Sequence, residues 1–178
     1  MKNHQHGLDN EYAHLRKDVS FDKAQNGFMV ADPLTLYDCC PTSDGASTVI
    51  LAADHVAKKL CEDPVWVLGS GAGSDHLALH DRPSITQLIA TQRAATSAYN
   101  QAGITANDVD LAEVHDCFTI AELMATEDLG FANRGEGGLF AREGRGIRNQ
   151  GRVTINASGG LKSKGHPLGA TGTGQVVE

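Results

Sequence analysis

The sequence predicts an α/β fold built around a mostly parallel or mixed sheet. Two observations support this prediction. The β-branched runs at 46–53, 65–68, 109–114 and 153–155 have the composition of strands. Stretches with helical spacing lie between several of these runs, and helices between successive strands imply right-handed crossover connections. With 178 residues, the chain is long enough for one domain with a hydrophobic core or for part of a larger domain.

Composition and charge exclude several classes of protein. Hydrophobic residues make up 40% of the chain and charged residues 21%, which fits a globular protein. The net charge of −7 makes nucleic acid an unsuitable partner. No apolar stretch approaches the length of a membrane span, and we recognise no signal peptide. The four cysteines are irregularly spaced, so we expect no metal site and reduced thiols in the cytoplasm.

The first part of the chain is predicted to be mostly loop. Residues 1–26 are polar, and their scattered histidines lack a ligand-like spacing, so we expect a hydrated surface. Pro33 restricts the stretch 28–37 to a loop or an edge strand. Residues 38–45 are rich in turn-forming residues and include the adjacent pair Cys39-Cys40. Because neighbouring cysteines rarely form a disulfide with each other, we interpret this pair as part of a packed turn.

The middle of the chain alternates between strand and helix. The run 46–53 predicts a buried strand, and the following residues predict a helix capped by Asp54 and ending at Cys61. A second strand is expected at 65–68, before a glycine-rich turn. A longer helix is predicted from a cap at Ser84 to Gln101, with Gly103 as its stop.

A glycine-dense stretch near the end of the chain contains the first candidate site. The strand-like run 153–155 leads into it, and Pro167 suits a first helical turn, so we expect a helix from Leu168 onward. His166 would then lie just before a helix N-terminus, where free N–H groups and the helix dipole favour negative charge. His166 is therefore a candidate for catalysis or oxyanion binding. A tight turn with an incidental histidine has the same pattern.

A second candidate site is the tetrapeptide His115-Asp-Cys-Phe118. It follows the strand-like run 109–114 and precedes residues 119–129, whose apolar residues recur at helical spacing. Two strand-to-helix junctions in one α/β sheet tend to face the same crevice. Taken alone, a cysteine beside a histidine also fits a packed pair in the core.

Together the two motifs resemble the thiolase superfamily. Residues 159–172 resemble the family's Gly-Gly to Gly-His-Pro-Leu-Gly-Ala-Thr-Gly motif, which supplies a catalytic histidine. Most thiolases carry Asn-Glu-Ala-Phe at the upstream site, whereas sterol-carrier-protein-type thiolases and related archaeal and bacterial enzymes carry His-Asp-Cys-Phe, as found at 115–118. The segments 40–46 and 94–114 also resemble family segments. The resemblance implies a layered α/β/α thiolase fold that is incomplete in this chain.

The resemblance implies a role for each site residue. Thiolases transfer an acyl group through a cysteine thioester and join it to the enolate of acetyl coenzyme A, or run the reverse cleavage. His166 would activate the nucleophilic cysteine and help to bind an oxyanion, and His115 would donate a hydrogen bond to the thioester oxygen. Cys117 would be the base or acid that transfers a proton, a role that suits a thiol pKa lowered towards neutrality. Phe118 would line the acyl-thioester pocket.

Other residues are implied in substrate binding. Cys40 lies in the turn that approaches the pantetheine of coenzyme A, at a position where the family often has serine, and Gly165 lies beside the catalytic histidine. No separate cofactor is implied, because the acyl or acetyl coenzyme A thioester is itself the substrate. The arginines of the glycine-rich stretch 133–148 either contact the phosphates of coenzyme A or stay hydrated. We favour hydration, since nothing fixes their geometry.

The resemblance also predicts that this chain is an internal piece of a larger protein. The family's nucleophilic cysteine belongs to an N-terminal half, and none of Cys39, Cys40 or Cys61 stands in a matching setting. Residues 1–62 resemble the end of the loop region and the last strand and helix of that half, and 63–178 a partial C-terminal domain. We therefore expect exposed apolar surface, covered by the missing half or by self-association.

Two classes of function remain open at this stage. The first is a thiolase-type acyltransferase of the acetyl-CoA acetyltransferase kind, active only when the missing half is supplied. The second is a non-catalytic subunit for coenzyme A binding or assembly. Within the enzymes, a relative that acylates an acceptor other than coenzyme A is a further alternative. The acceptor, the acyl-chain length and the direction of reaction depend on pockets outside this sequence.

Overall fold

Two short parallel strands, distant in sequence, form the centre of the fold. In the computed structural model, which describes residues 1–178, β3 (Leu111–Ala112) pairs with β4 (Thr154–Ile155) in parallel. The connection between them contains α5 (Thr119–Asp128) and α6 (Gly137–Arg142). A parallel pair requires such a crossover, because a tight turn can only join antiparallel strands. The predicted order of strand, helix and strand is therefore confirmed here.

The hydrophobic core lies around this strand pair. Its members come from the strands, from the helices of the crossover and from the residues between them. They are Val114, Ala125, Phe131, Phe140, Val153 and Ile155. Val153 is completely buried and Ile155 is 1% exposed. Full burial of such a side chain contributes about 1.5–3 kcal/mol, so this cluster stabilises the structure that carries the candidate site.

The remaining elements are short. They are the helices α1 (Lys2–His6), α2 (Phe21–Gln25), α3 (Asp54–Leu60), α4 (Ile89–Ala102), α7 (Gly160–Ser163) and α8 (Thr171–Val177), and the antiparallel hairpin of β1 (Met29–Ala31) and β2 (Leu34–Thr35). Single 3-10 turns lie at Leu36–Asp38, Leu79–Asp81 and Ala106–Asp108. No helix has both the length and the apolar composition needed to cross a membrane.

The predicted helices form, but the starts of three of them, α3, α4 and α8, differ from the prediction. α4 ends at Gly103, which adopts the left-handed conformation and donates its N–H to the carbonyl of Tyr99, as predicted. It begins at Ile89 rather than at Ser84, whose hydroxyl accepts the N–H of Thr86 instead. In α3 the N-cap is Ala53, so the prediction of an Asp54 cap is wrong. Asp54 lies in the first turn and forms an ion pair with a lysine one turn later.

The strands predicted at 46–53 and 65–68 do not form. Both stretches lack regular structure, and their apolar side chains are exposed: Ile50 is 86% exposed and Val65 97%. Neither stretch has a neighbouring strand to satisfy its backbone hydrogen bonds, so strand composition alone does not produce a strand. The glycine-rich turn after the second stretch runs along α4, where a side chain at Gly71 would collide with the carbonyl of Ala94.

The polar start of the chain is not the hydrated surface that the sequence predicts. Asn3, His4 and His6 are buried, and α1 packs against α7. The Lys2 ammonium donates to the carbonyl of Ile155 at 2.6 Å, at the end of β4. Nδ1 of His6 lies 2.9 Å from the carbonyl oxygen of Asn156, the residue after β4. Backbone carbonyls at the end of β4 thus bind Lys2 and His6, whereas the buried amide of Asn3 donates to the carboxylates of Asp116 and Glu122.

The glycine-rich stretch 133–148 also differs from the prediction of a hydrated loop. It contains α6, and three of its arginines form ion pairs: Arg145 with Glu143 inside the stretch, and two others with partners outside it. Arg134 contacts the carboxylates of Glu127 at 3.2 Å and Asp128 at 2.7 Å. Arg148 contacts the carboxylate of Asp9 at 2.7 Å. These partners fix the two guanidinium groups, which the sequence pattern does not reveal.

Candidate active site

The two motifs meet in the structure. The tetrapeptide 115–118 lies between β3 and α5, as predicted, and His166 lies in the loop between α7 and α8. The rings of His115 and His166 are 4.8 Å apart between centroids and nearly perpendicular, at 85°. This edge-to-face contact places two titratable groups at one point of the molecule, although they are far apart in sequence.

His166 is oriented by the residue that opens α8. Helix α8 begins at Thr171 rather than at Leu168, so His166 does not lie directly at its N-terminus. The hydroxyl of Thr171 donates to the carbonyl of Pro167 at 3.0 Å and lies 2.7 Å from Nδ1 of His166. With the hydroxyl proton directed to Pro167, the tautomer that completes this arrangement has the imidazole proton on Nδ1, which donates to Thr171. Nε2 of His166 is therefore left as the basic nitrogen.

Both imidazoles are neutral at pH 7. Burial lowers the pKa of His166 below its ordinary value. Burial also lowers the pKa of His115, and the neighbouring His166 lowers it further because two imidazolium ions would repel each other. A neutral imidazole can accept a proton at one nitrogen and donate a hydrogen bond from the other, so the pair can serve as a base and as a hydrogen-bond donor.

Asp116 joins the two motifs, and the sequence analysis did not single it out. It is completely buried, and its carboxylate accepts the backbone N–H of Leu161 at 2.7 Å and the side-chain amide of Asn3 at 2.6 Å. Gly160 adopts a left-handed conformation with φ of 59°, and a Cβ there would collide with the carboxylate. The position of Asp116 inside the tetrapeptide, between His115 and Cys117, was the feature of the sequence that could have identified it.

The charge state of Asp116 reflects its burial. Burial, together with the nearby carboxylate of Glu122, raises the pKa of Asp116 to about 6. The N–H of Leu161 and the amide of Asn3 act in the opposite direction, because they stabilise the ionised form. The carboxyl group is therefore ionised at neutral pH but becomes protonated under mildly acidic conditions.

Asn156 supports the same region from the end of β4 and was also missed by the sequence analysis. Its side-chain oxygen accepts the N–H of Val114 at 2.8 Å, next to His115. Its backbone adopts a left-handed conformation with φ of 56°, which asparagine tolerates better than most residues. This hydrogen bond fixes the point at which the chain leaves β3 and enters the tetrapeptide.

Cys117 has a raised pKa, contrary to the expectation of a thiol lowered towards neutrality. Burial is the main cause, and the charge of Asp116 adds to it. The backbone N–H of Phe118 and the ammonium of Lys162 oppose the shift but do not outweigh it. No imidazolium is available to stabilise the thiolate, because both neighbouring histidines have lowered pKa values. Cys117 is therefore a thiol at neutral pH.

The turn at 38–45 contacts both motifs. Cys39 and Phe118 are partners in an isolated antiparallel bridge, and Cys40 donates its N–H to the carbonyl of Cys117 at 2.9 Å. Ser43 accepts the N–H of His166 at 3.2 Å. The six residues proposed for catalysis and binding thus lie together: His115, Cys117, His166, Cys40, Phe118 and Gly165.

Two cavities flank this group of residues. One, of about 360 Å³, is lined by Gly165, Pro167 and Thr171. The other, of about 310 Å³, is lined by Cys40, His4 and Lys162, among others. The ammonium of Lys162 is buried without a hydrogen-bond partner, and burial lowers its pKa. Phe118, at 42% exposure, is accessible to a substrate.

Comparison with known proteins places this site in a family. The family model described as thiolase C-terminal domain-like matches residues 71–178. Acetyl-CoA acetyltransferase of Methanothermobacter thermautotrophicus is 47% identical over 176 residues, covering 99% of this chain and 46% of the relative. Benzoylsuccinyl-CoA thiolase subunit BbsB of Thauera aromatica is 39% identical over 179 residues, covering 99% and 46%.

Sterol carrier protein 2 of Oryctolagus cuniculus is 38% identical over 182 residues, covering 99% of this chain and 33% of the relative. The chain thus spans half or less of the length of these curated relatives.

Two solved structures share the fold. The Ltp2-ChsH2(DUF35) aldolase has a TM-score of 0.85 at 25% identity, covering 99% of this chain and 47% of that chain. The monomeric SCP2-thiolase like protein type 1 from Mycobacterium smegmatis has a TM-score of 0.69 at 18% identity, covering 98% and 36%. The predicted resemblance and the thiolase-like α/β fold are therefore confirmed. The chain belongs to the thiolase C-terminal domain-like family.

Proposed function

We propose that this chain provides the proton-transfer and oxyanion-binding part of a thiolase-type acyl-CoA acyltransferase. The observation that carries the proposal is the contact of His115 with His166, beside Cys117 in the same turn. Relatives named acetyl-CoA acetyltransferase and benzoylsuccinyl-CoA thiolase subunit support an acyl coenzyme A thioester as the substrate. The reaction is carbon–carbon bond formation next to a thioester, or its reverse.

His115 acts as the hydrogen-bond donor to the thioester oxygen in this proposal. Its lowered pKa keeps the imidazole neutral, so it donates an N–H without carrying a full charge. Removal of a proton next to the thioester places negative charge on that oxygen. A donor fixed in advance at this position stabilises the enolate more than the ground state, which lowers the barrier.

Cys117 transfers the proton. Because burial raises its pKa, the thiol form dominates at neutral pH, and this form can donate a proton. In the cleavage direction Cys117 protonates the enolate as the carbon–carbon bond breaks. In the condensation direction the thiolate removes the proton, so the rate of condensation should rise with pH.

His166 activates a nucleophilic cysteine that lies outside these 178 residues. Its Nε2 is the basic nitrogen and can accept the proton of a thiol. Of the remaining cysteines, Cys39 hydrogen-bonds the carbonyl of Thr35, and Cys61 is exposed at the end of α3. We therefore propose that the nucleophile comes from an N-terminal thiolase half, as a separate or connected polypeptide.

Coenzyme A binds along the turn 38–45 in this proposal. That turn contacts both motifs, and the N–H of Cys40 donates a hydrogen bond to the carbonyl of Cys117. Gly165 has a φ of 113°, and a Cβ there would lie 2.7 Å from the hydroxyl of Ser43, so glycine keeps the turn and the His166 loop in contact. Phe118 lines the pocket that holds the acyl group. No other cofactor is required for this chemistry.

The proposal is tested by thiolytic cleavage of acetoacetyl coenzyme A, with this chain alone and together with an N-terminal thiolase half. We expect turnover only in the mixture. His166→Ala and Cys117→Ala should each reduce turnover by about 10²–10⁴, the range for a lost proton-transfer group. Cys61→Ser is the matched control and should leave turnover unchanged, because Cys61 is exposed and distant from the site.

Two outcomes would contradict the proposal. Turnover that survives His166→Ala would remove the assigned role of this histidine. A stable complex that binds coenzyme A but never turns over would favour the alternative of a non-catalytic binding or assembly subunit.

An aldolase is a second candidate, favoured by the TM-score of 0.85 to the Ltp2-ChsH2(DUF35) aldolase. Aldol cleavage next to a thioester also requires a proton-transfer group and an oxyanion donor, but it needs no acyl-enzyme cysteine. The two candidates are distinguished by substrate: a 3-hydroxyacyl thioester is cleaved by an aldolase, and a 3-ketoacyl thioester by a thiolase. Cleavage of the hydroxy substrate without an added cysteine half would favour the aldolase.

A further inference from the structure

Two thiols face each other where the turn 38–45 meets the tetrapeptide. The antiparallel bridge aligns Cys39 with Phe118, so the next pair along the two segments is Cys40 with Cys117. The hydrogen bond from the Cys40 N–H to the Cys117 carbonyl, at 2.9 Å, confirms this register. Because side chains alternate along extended segments, Cys40 and Cys117 project on the same side of the bridge.

The spacing of this pair suits a disulfide. Directly opposed residues in an antiparallel pair have Cα atoms about 4.5–5.5 Å apart. Disulfides join residues whose Cα atoms are usually about 4.4–6.8 Å apart. Both thiols are free and half-buried. Burial raises the pKa of Cys40, and the negative charge of a Cys117 thiolate raises it further, which also indicates that the two sulfur atoms are close.

The other two cysteines are less suitable partners. The Cys39 thiol hydrogen-bonds the carbonyl of Thr35 at 3.6 Å, and its position on the bridge sends it to the opposite side from Cys40. Cys61 is exposed at the end of α3. The adjacent pair Cys39-Cys40 is the obvious redox candidate in the sequence, but the structure favours a pairing across the bridge instead.

We propose that Cys40 and Cys117 form an intrachain disulfide under oxidising conditions and that this bond reversibly blocks the site. The bond follows from the bridge geometry alone. Its effect on activity rests on the proposed function, because it removes the thiol that Cys117 uses for proton transfer. The same bond would also restrict the movement of the turn 38–45, along which we propose that coenzyme A binds.

The chemistry balances with a low-molecular-weight disulfide such as glutathione disulfide as oxidant. One protein thiolate attacks a sulfur of the oxidant, forming a mixed disulfide and releasing one glutathione thiolate. The second protein thiolate attacks the protein sulfur of the mixed disulfide and releases the second glutathione thiolate. The two protein thiols are oxidised, glutathione disulfide is reduced to two thiols, and the two protons pass to them.

Peptide mapping tests the bond directly. The reduced protein is incubated with glutathione disulfide, its free thiols are alkylated, and it is digested with trypsin without reduction. Trypsin cleaves after lysine and arginine but not at Arg82, which precedes a proline, so Cys40 lies in the peptide 24–58, Cys117 in 94–134 and Cys61 in 60–93. We expect a cross-link between the peptides 24–58 and 94–134.

Cysteine variants identify which thiol of the first peptide takes part. The cross-linked fraction should fall at least about tenfold in Cys40→Ser and persist in the matched control Cys39→Ser. Cys40→Ala is a second test if serine disturbs the turn, with circular dichroism as the check on folding. A cross-link that survives in Cys40→Ser, a disulfide within the peptide 24–58, or no cross-link at all would each overturn the proposed pairing.

Activity is measured separately on the same samples, with the cysteine half added. We expect turnover to fall in proportion to the cross-linked fraction and to return with dithiothreitol. If the cross-link forms and turnover is unchanged, the pairing stands, but the proposed block and the proposed role of Cys117 fail. If no cross-link forms while Cys117→Ala still abolishes turnover, the pairing fails and the proposed function stands.

Discussion

Two regions of the molecule contain similar apolar runs but differ in whether the apolar side chains are buried. We call residues 46–88 the open segment and residues 105–166 the core segment. Ile50 in the open segment is 86% exposed, whereas Ile155 in the core segment is 1% exposed. Val65 and Val153 differ in the same way, at 97% and 0%. All four residues belong to β-branched runs that predict buried strands.

The difference lies in the available partners. In the core segment β3 and β4 pair with each other, so backbone groups and apolar side chains are satisfied together. In the open segment the runs 46–53 and 65–68 have no neighbouring strand, and neither forms regular structure. Large exposed apolar surfaces on proteins usually mark an interface. The open segment is thus the surface that the proposed second half would cover.

The largest expected contrast is between two isoleucines. Ile155→Ala should lower the free energy of unfolding by about 2–5 kcal/mol, because it leaves a cavity in the core. The matched variant Ile50→Ala should change the same quantity by less than about 0.5 kcal/mol, because its side chain is already in water. Equilibrium urea denaturation followed by circular dichroism measures both. A loss of several kcal/mol in Ile50→Ala would show that the open segment is packed in solution.

The same contrast explains how much of the structure was predictable. Helices α3, α4 and α5 and the pair β3–β4 carry their own signals, such as Gly103 as a helix stop and a β-branched run before the tetrapeptide. The meeting of His115 with His166 followed from two strand-to-helix junctions in one sheet. The strands of the open segment could not be judged from composition, since pairing depends on residues elsewhere.

The buried polar residues that surround the site were harder to predict from the sequence. Asn3 and His6 belong to a polar opening stretch that has no apolar periodicity, yet they bond Asp116 and the end of β4. Lys162 lies one residue beyond the Leu161 N–H that Asp116 accepts, and its burial is not visible in its residue type. Such contacts arise from three-dimensional neighbours, which local patterns do not specify.

A second contrast concerns two glycines near His166. Gly160→Ala should destabilise the protein by about 2–4 kcal/mol, because the left-handed backbone disfavours alanine and the new methyl group meets Asp116. Gly169→Ala should cost less than about 1 kcal/mol, since nothing lies within 4 Å of the added atom. Thermal unfolding compares the two. Equal effects would mean that the carboxylate of Asp116 does not hold the Gly160 turn.

A third test uses pH and the buried carboxyl group of the core segment. Asp116 has a folded pKa of about 6 against an ordinary value of 3.8, so between these pH values only the folded state holds the proton. Its contribution to the free energy of unfolding therefore falls as pH rises from about 4 to about 6, by on the order of 1–3 kcal/mol. Asp116→Asn should remove this decline in denaturant titrations at several pH values.

Asp38 provides a control, because its pKa is lowered whereas that of Asp116 is raised. Burial opposes ionisation of Asp38, but hydrogen bonds from Thr35 and Thr119 outweigh it and lower its pKa. Its contribution is therefore present above the ordinary value of 3.8 and is lost as pH falls. Asp38→Asn should change the pH dependence in the opposite direction to Asp116→Asn. The same direction in both variants would contradict the assigned environment of Asp116.

The smallest expected effect lies in the open segment, at the single tryptophan. Trp66 is 47% exposed, and the Lys58 ammonium lies 5.5 Å from its ring centroid. Lys58→Met should change the free energy of unfolding by less than about 1 kcal/mol, as expected for an exposed cation–π contact, with Lys59→Met as the matched control. Trp66 emission should be that of a hydrated indole and should shift to shorter wavelength when the proposed second half is added. Trp66 is the single tryptophan of this chain, so an unchanged spectrum in an active mixture, after subtraction of the emission of the second half alone, would mean that the second half leaves the open segment uncovered.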